Sequence, residues 1–228
     1  MRVRVTTALG LTAATLLALP ACSTEAKPAA TPSVRAGNPA AADQVGAPLS
    51  PAALEARLLD EEDLGSGYTR TPERPARHQD VTVLGCPALN ELGGDAATGG
   101  SLDFPRTAKT SFTYTGGRSS QVSEELYSDT ADRLSGGTGR IFDAMTGCPE
   151  YQVLTGSTAI AVTTQKTTAP RLGDEQWSLL LTLSAGGQDS VVKQTAIRTG
   201  TVLLIVSGTP ALIDRHLDTA LAKATATR

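Results

Sequence analysis

Cysteine placement constrains this chain more than any other feature, because it separates the part that can build a core from the part that cannot. Cys22 closes the run Leu19-Pro20-Ala21-Cys22, after a start that carries Arg2 and Arg4 and an apolar stretch from Val5 to Leu19. That stretch is shorter than the roughly 20 apolar residues a membrane-spanning helix needs, and small Ala21 stands where a signal peptidase cuts. Residues 1–21 therefore read as a lipoprotein signal peptide, and Cys22 as the acylated first residue of the mature chain. Pro20 is the one departure, since a lipobox more often carries a small or β-branched residue there. Two or three acyl chains on Cys22 would hold the protein to the extracytoplasmic face of a cell membrane, where a single chain binds only marginally.

Residues 22–49 follow as a tether rich in Ala, Pro, Thr, Ser and Gly, with Pro28, Pro32, Pro39 and Pro48 and no aromatic residue. Such a segment has too little apolar surface to offset its ordering entropy. As a flexible chain it spans an r.m.s. distance of roughly 25 to 30 Å. The remaining cysteines, Cys86 and Cys148, both stand between glycine and proline. An even pair in an oxidising compartment reads as a disulfide, and the pair lacks the Cys-x-x-Cys spacing of a redox site. Losing Arg2 and Arg4 with the leader leaves 18 basic against 23 acidic residues, a net charge of −5. Neither that balance nor any basic stripe suits nucleic acid, and no polybasic patch supplements the lipid anchor.

Residues 50–228 are expected to form one α+β domain, with about six antiparallel strands and helices packed on one face. Ser50-Pro51 has the form of a helix start, with Leu54, Leu58 and Leu59 along one side. Asp60 caps a second short turn, which places Glu61 and Glu62 at its positive end and accounts for the acidic run Asp60–Asp63 without a metal. Alternation predicts strands over 106–114, 122–128, 157–165, 176–184, 190–198 and 201–207. Val202–Val206 has the unbroken apolar composition of a central strand. Helices are predicted over 130–146, ending at Gly147, and from Thr209-Pro210, where Thr209 should cap as Ser50 does and Leu212, Ile213, Leu217 and Leu221 face the core. A sheet covered on one side leaves its other face, rich in Ser, Thr and Gln, as a binding surface or a plain solvated one.

No catalytic signature emerges, so an enzyme is not expected. Ser190-Val-Val-Lys193, with Ser128-Asp129-Thr130 and Arg198-Thr199-Gly200, mimics penicillin-recognising enzymes, but the elements stand in the wrong order and Ser190 falls in a strand rather than opening a helix. The histidines are His78, which has no evident partner, and His216, which sits beside Ile213 and Leu217 and reads as a structurally satisfied imidazole. Nothing calls for a metal or a cofactor. Asp174 and Glu175 beside Trp177 can present carboxylates at a pocket edge, or simply form a polar strand-entry turn. Trp177, Tyr114, Tyr127 and Phe112 are where a pocket would be sought, or else belong to the core.

The run Leu58-Leu59-Asp-Glu-Glu-Asp-Leu64-x-x-Gly67-Tyr68, then Gly85-Cys86-Pro87-Ala-Leu89, a second cysteine after a helix, and Leu172-Gly173-Asp174-Glu175 resemble an actinobacterial extracytoplasmic family. This is the sensor-domain type found at the outer end of the PknH serine/threonine kinase and in stand-alone lipoproteins. The resemblance covers Ser50 to the C-terminus and implies a cleft beside an antiparallel sheet and the binding of an extracellular ligand. This chain departs from the kinase sensor in having cysteines for one disulfide only, and its 228 residues include no kinase domain. The leading expectation is a non-enzymatic, membrane-anchored binding domain for a small molecule, lipid or glycan. A lipid or glycolipid carrier and a module docking onto an envelope protein are the alternatives.

Overall fold

The computed structural model describes residues 46–72, 81–93, 102–117, 120–168 and 171–226. Cys22, the leader and most of the tether lie outside the described residues, as does His78. The strands are β1 (Tyr68–Arg70), β2 (Val81–Leu84), β3 (Thr107–Tyr114), β4 (Ser120–Ser128), β5 (Glu150–Thr155), β6 (Thr158–Lys166), β7 (Glu175–Ala185), β8 (Gln188–Thr199) and β9 (Val202–Gly208). The helices are α1 (Pro51–Glu55), α2 (Glu61–Leu64), α3 (Pro87–Leu92), α4 (Ala131–Gly147) and α5 (Pro210–Ala224).

One antiparallel sheet of nine strands, ordered β1-β3-β4-β9-β8-β7-β6-β5-β2, carries the domain, so the expected six strands are three too few. The six predicted strands stand with ends shifted by one or two residues, and β1, β2 and β5 are the additions. β1 has three residues and β2 has four, too few for an alternating signal to show, and each is a strand only because a distant partner fixes it. Tyr68 pairs with Tyr114, and Val83 with Val153. β5 does alternate, with Tyr151 and Val153 buried between exposed Glu150 and Gln152. A Gly186-Gly187 turn joins β7 to β8 with Ala185 opposite Gln188, and both glycines take positive φ, 59° and 77°, as a two-residue hairpin requires.

Helices cover both faces, not one. Cross-strand partners Ala108, Leu126, Leu204 and Ile197 share a face and meet α1, α2 and α5 through Leu54, Leu59, Leu64, Leu212, Ile213 and Leu217. On the opposite face Tyr127, Leu203, Ile205 and Ala196 meet Leu134 of α4. Farther along that face Leu179, Leu181, Val162, Tyr151 and Val153 pack under Phe142 and Met145 of α4 and Leu89 of α3. Every residue from Val202 to Val206 is buried, which only a two-sided cover can achieve for consecutive strand residues. The uncovered polar face is therefore confined to part of the sheet. On the α5 side it carries exposed Thr163, Gln165 and Gln152, with Leu84 and Val191 about half exposed among them.

Local chemistry sets the helix ends. Ser50 Oγ accepts from Ala53 N at 3.2 Å and Pro51 opens α1, but the helix stops at Glu55, with Leu58 and Leu59 buried from the turn that follows. Thr209 differs from the expectation: its side chain makes no cap bond, and its carbonyl accepts from Leu212 N and Ile213 N instead. The disulfide Cys86–Cys148 joins the start of α3 to the end of α4, with Cα atoms 5.7 Å apart.

Closing a loop across 62 residues restricts the unfolded chain by about 4 kcal/mol in the entropy model. The Cys86→Ser/Cys148→Ser variant is expected to lose stability of that order, read as a lower urea midpoint with a steeper slope, because the unfolded chain without the crosslink exposes more surface.

Candidate functional site

The first two helices form one corner of a cavity because of how the chain breaks between them. Asp60 begins α2 with a reciprocal capping box: its Oδ1 accepts from Glu62 N and Asp63 N, and Asp63 Oδ2 accepts from Asp60 N. Lys223 of α5 bridges Asp60 and Asp63, and its hydrogen bond holds the Asp60 carboxyl down to about 2. The acidic run is thus engaged in capping, in holding Lys223 and, through Glu61 Oε1, in accepting from Arg70 N at 3.0 Å. Leu59, between the helices, has no helical acceptor for its N–H, and Glu124 Oε2 of β4 takes it at 2.6 Å.

Glu124 is fully buried, on the same face as Val122 and Leu126. Burial raises its carboxyl to about 7; the Leu59 N–H and the charges of Lys223 and Arg70 oppose that rise, and Asp63 adds to it. Its Oε1 has no hydrogen-bond partner among the described residues. Directly across the ladder stands Thr110 of β3, also buried, with its Oγ1 likewise unpartnered. Two adjacent orphaned polar groups in a core are rare enough to mark a place of interest.

Thr110 lines a cavity of about 530 Å³, within the range of small-ligand sites. Glu55 and Leu58 of the α1 end form one wall, Arg70, Thr71 and Pro72 a second, and the start of β3 from Thr107 to Thr110 the floor. The cavity exists because β1 follows β3 only as far as Thr71, whose N–H donates to Ser111 O at 2.8 Å, before Pro72. The Arg70 guanidinium lies 5.8 Å from the Phe112 ring centroid, and no carboxylate forms an ion pair with it among the described residues.

The residues singled out in the sequence do not converge here. Tyr114 stacks on Tyr68 at 4.6 Å, on the α5 face, and the Tyr68 hydroxyl shares a 2.7 Å hydrogen bond with His216 Nε2. The imidazole is therefore buried and partnered, and desolvation, followed by Arg215, lowers its pKa. Phe112 is fully buried on that same face. Tyr127 lies on the other face under Phe104. Its hydroxyl donates to Glu125, which pairs with Lys109 at 2.7 Å, and burial pushes the phenol up. Trp177, half-buried, packs on that face too.

Asp174 and Glu175 both bind Arg198, at 3.0 and 2.6 Å, and Glu175 also accepts from Ser135 Oγ of α4 at 2.9 Å. Arg198 holds the Glu175 carboxyl below the usual range. Gly173 presents them: at φ 68°, a Cβ there would sit 2.6 Å from Arg198 O. These carboxylates pin a turn to a strand. Lys193 bridges Asp214 of α5, and Ser190 lies three positions away in β8, on the opposite face. Sequence reasoning passed over Glu124 and Arg70. A signal for Glu124 was present, since an acid midway between Val122 and Leu126 in an alternating strand must share their buried face.

No family model matches the sequence, and no curated protein matches it. Among solved structures the chain is similar to the crystal structure of the extracellular domain of PknH from Mycobacterium tuberculosis, with a TM-score of 0.58 and 14% identity over 78% of this chain and 98% of that one. At that identity the likeness shows the fold, which is PknH-like, as the short motifs imply.

Because the folded protein holds the Glu124 proton more tightly than the unfolded chain does, stability should rise as pH falls from about 7 toward 4.5 and be lost above 7. The gain is about 3 kcal/mol from this group alone. His216 opposes it, since a depressed imidazole removes stability as pH falls through its ordinary range. Comparing Glu124→Gln with wild type cancels the histidine. The variant's urea midpoint, taken relative to wild type, is expected to rise between pH 5 and 7 and then level off, leaving the variant the more stable of the two at pH 8.

Proposed function

We propose that this protein is a lipid-anchored extracytoplasmic lipoprotein whose folded domain binds a ligand without catalysing its conversion. The observation that carries the reading is the cavity of about 530 Å³ at the free end of β3, floored by a sheet edge and backed by buried Thr110 and Glu124. A rigid nine-stranded sheet supplies the precise scaffold a binding site needs, and the cavity opens between elements rather than inside the core. The likeness to an extracellular domain of a kinase supports an extracytoplasmic, sensor-like role. The mixed lining, with Arg70, Glu55 and threonine hydroxyls, suits a polar ligand better than acyl chains, which weighs against the lipid-carrier alternative. Cys22 and the 23–49 tether would leave the domain free to meet that ligand near the membrane surface.

Two measurements test this. Metabolic labelling with an alkyne fatty acid should tag the wild-type protein, whereas Cys22→Ser should be untagged and appear in the soluble fraction; an untagged wild type would sink the anchor. Native mass spectrometry of the mature protein after exposure to envelope extract should then show a discrete added mass. A clean apo mass under conditions that preserve the disulfide would count against ligand binding.

A further inference from the structure

The cavity floor is a length of sheet edge with no strand beside it among the described residues, and its phase is fixed by backbone hydrogen bonds on both sides. Ser128 N donates to Arg106 O at 3.0 Å, so residues 106, 108 and 110 direct their main-chain groups toward β4. Thr71 N donates to Ser111 O and Thr115 N to Gly67 O, so the odd-numbered residues of β3 direct theirs toward β1. β1 reaches only Ser111, which leaves the N–H and C=O of Lys109 and Thr107 facing the cavity without a strand among the described residues. The Lys109 side chain is engaged on the far face with Glu125 and Tyr127, so this residue borders the cavity through its backbone.

We infer that this edge takes an extended peptide segment of a separate chain, added as a strand beside Thr107 and Lys109, with an acidic side chain of that peptide against Arg70. The inference rests on the binding role proposed above and names its ligand class. Strand addition supplies affinity through main-chain hydrogen bonds and specificity through alternate side-chain contacts. Arg70 lines the cavity and has no ion pair among the described residues, while Glu55 on the opposite wall disfavours an acid there.

The probe is a capped, alternating threonine–valine hexapeptide with one central glutamate, and its counterpart with lysine in place of the glutamate. With the mature protein, hydrogen–deuterium exchange should show added protection over residues 106–111 on peptide addition, and calorimetry should show the glutamate peptide binding at least tenfold tighter than the lysine peptide. Arg70→Ala should erase that preference. Lys109→Pro removes one edge N–H and leaves the β3–β4 ladder intact, so it should weaken binding at least tenfold relative to Lys109→Ala, with thermal melts confirming that both variants fold. Equal binding by K109P and K109A, or protection elsewhere on the sheet, would overturn the inference. So would the amides of Thr107 and Lys109 being protected before any peptide is added, which would show that the chain fills its own edge. Retention of an envelope-derived mass by K109P would refute strand addition while leaving the binding role standing.

Discussion

Burying Val202–Val206 on both sides is the constraint from which most of the architecture follows. Successive strand residues point to opposite faces, so five consecutive apolar side chains cannot be removed from water by one layer of helices. At about 25 cal/mol per Å² of apolar surface, leaving one face of β9 wet would forgo several kcal/mol. α5 therefore closes one side through Leu212, Ile213 and Leu217, and α4 the other through Leu134. The disulfide follows from the same arrangement. α4 runs over the sheet to Cys148, where Cys86 ties it to α3 and to the distal strands under Phe142 and Met145.

What the two layers leave uncovered is as informative as what they bury. α1 is only five residues long and β1 only three, so neither extends over the start of β3. The resulting opening combines a sheet edge, a guanidinium and a carboxylate wall, all held by elements that the core itself positions. Glu124 sits behind it as a buried carboxyl whose desolvation is only partly offset by one N–H bond and the charges of Lys223 and Arg70. Its one hydrogen bond among the described residues, from Leu59 N, binds the α1–α2 break to the sheet.

The aromatic and acidic residues that stand out in the sequence have turned out to support the frame. Tyr114 and Tyr127 lie on opposite faces of the same strand pair, each with a partner: Tyr68 and its histidine for one, Glu125 and Lys109 for the other. Asp174 and Glu175 clamp Arg198 across the β7–β8 ladder. A side chain conspicuous for its chemistry is often satisfied by a residue far away in sequence, and pairing of that kind is invisible to local pattern. The same distance conceals β1 and β2, whose strand character is conferred by β3 and β5.

The sequence by itself determined much of what local periodicity and residue type govern: six of the nine strands, the helix starts at Ser50-Pro51 and Thr209-Pro210, the capping role of Asp60, and the pairing of Cys86 with Cys148. These depend on backbone geometry and on residue types within a few positions of each other, or on there being one pair of cysteines besides Cys22. Tertiary structure alone decided the nine-strand order, the placing of helices on both faces, and the cavity beneath Arg70. Those features arise where segments dozens of residues apart meet, and the burial, register and desolvation that define them have no value until the chain has closed on itself.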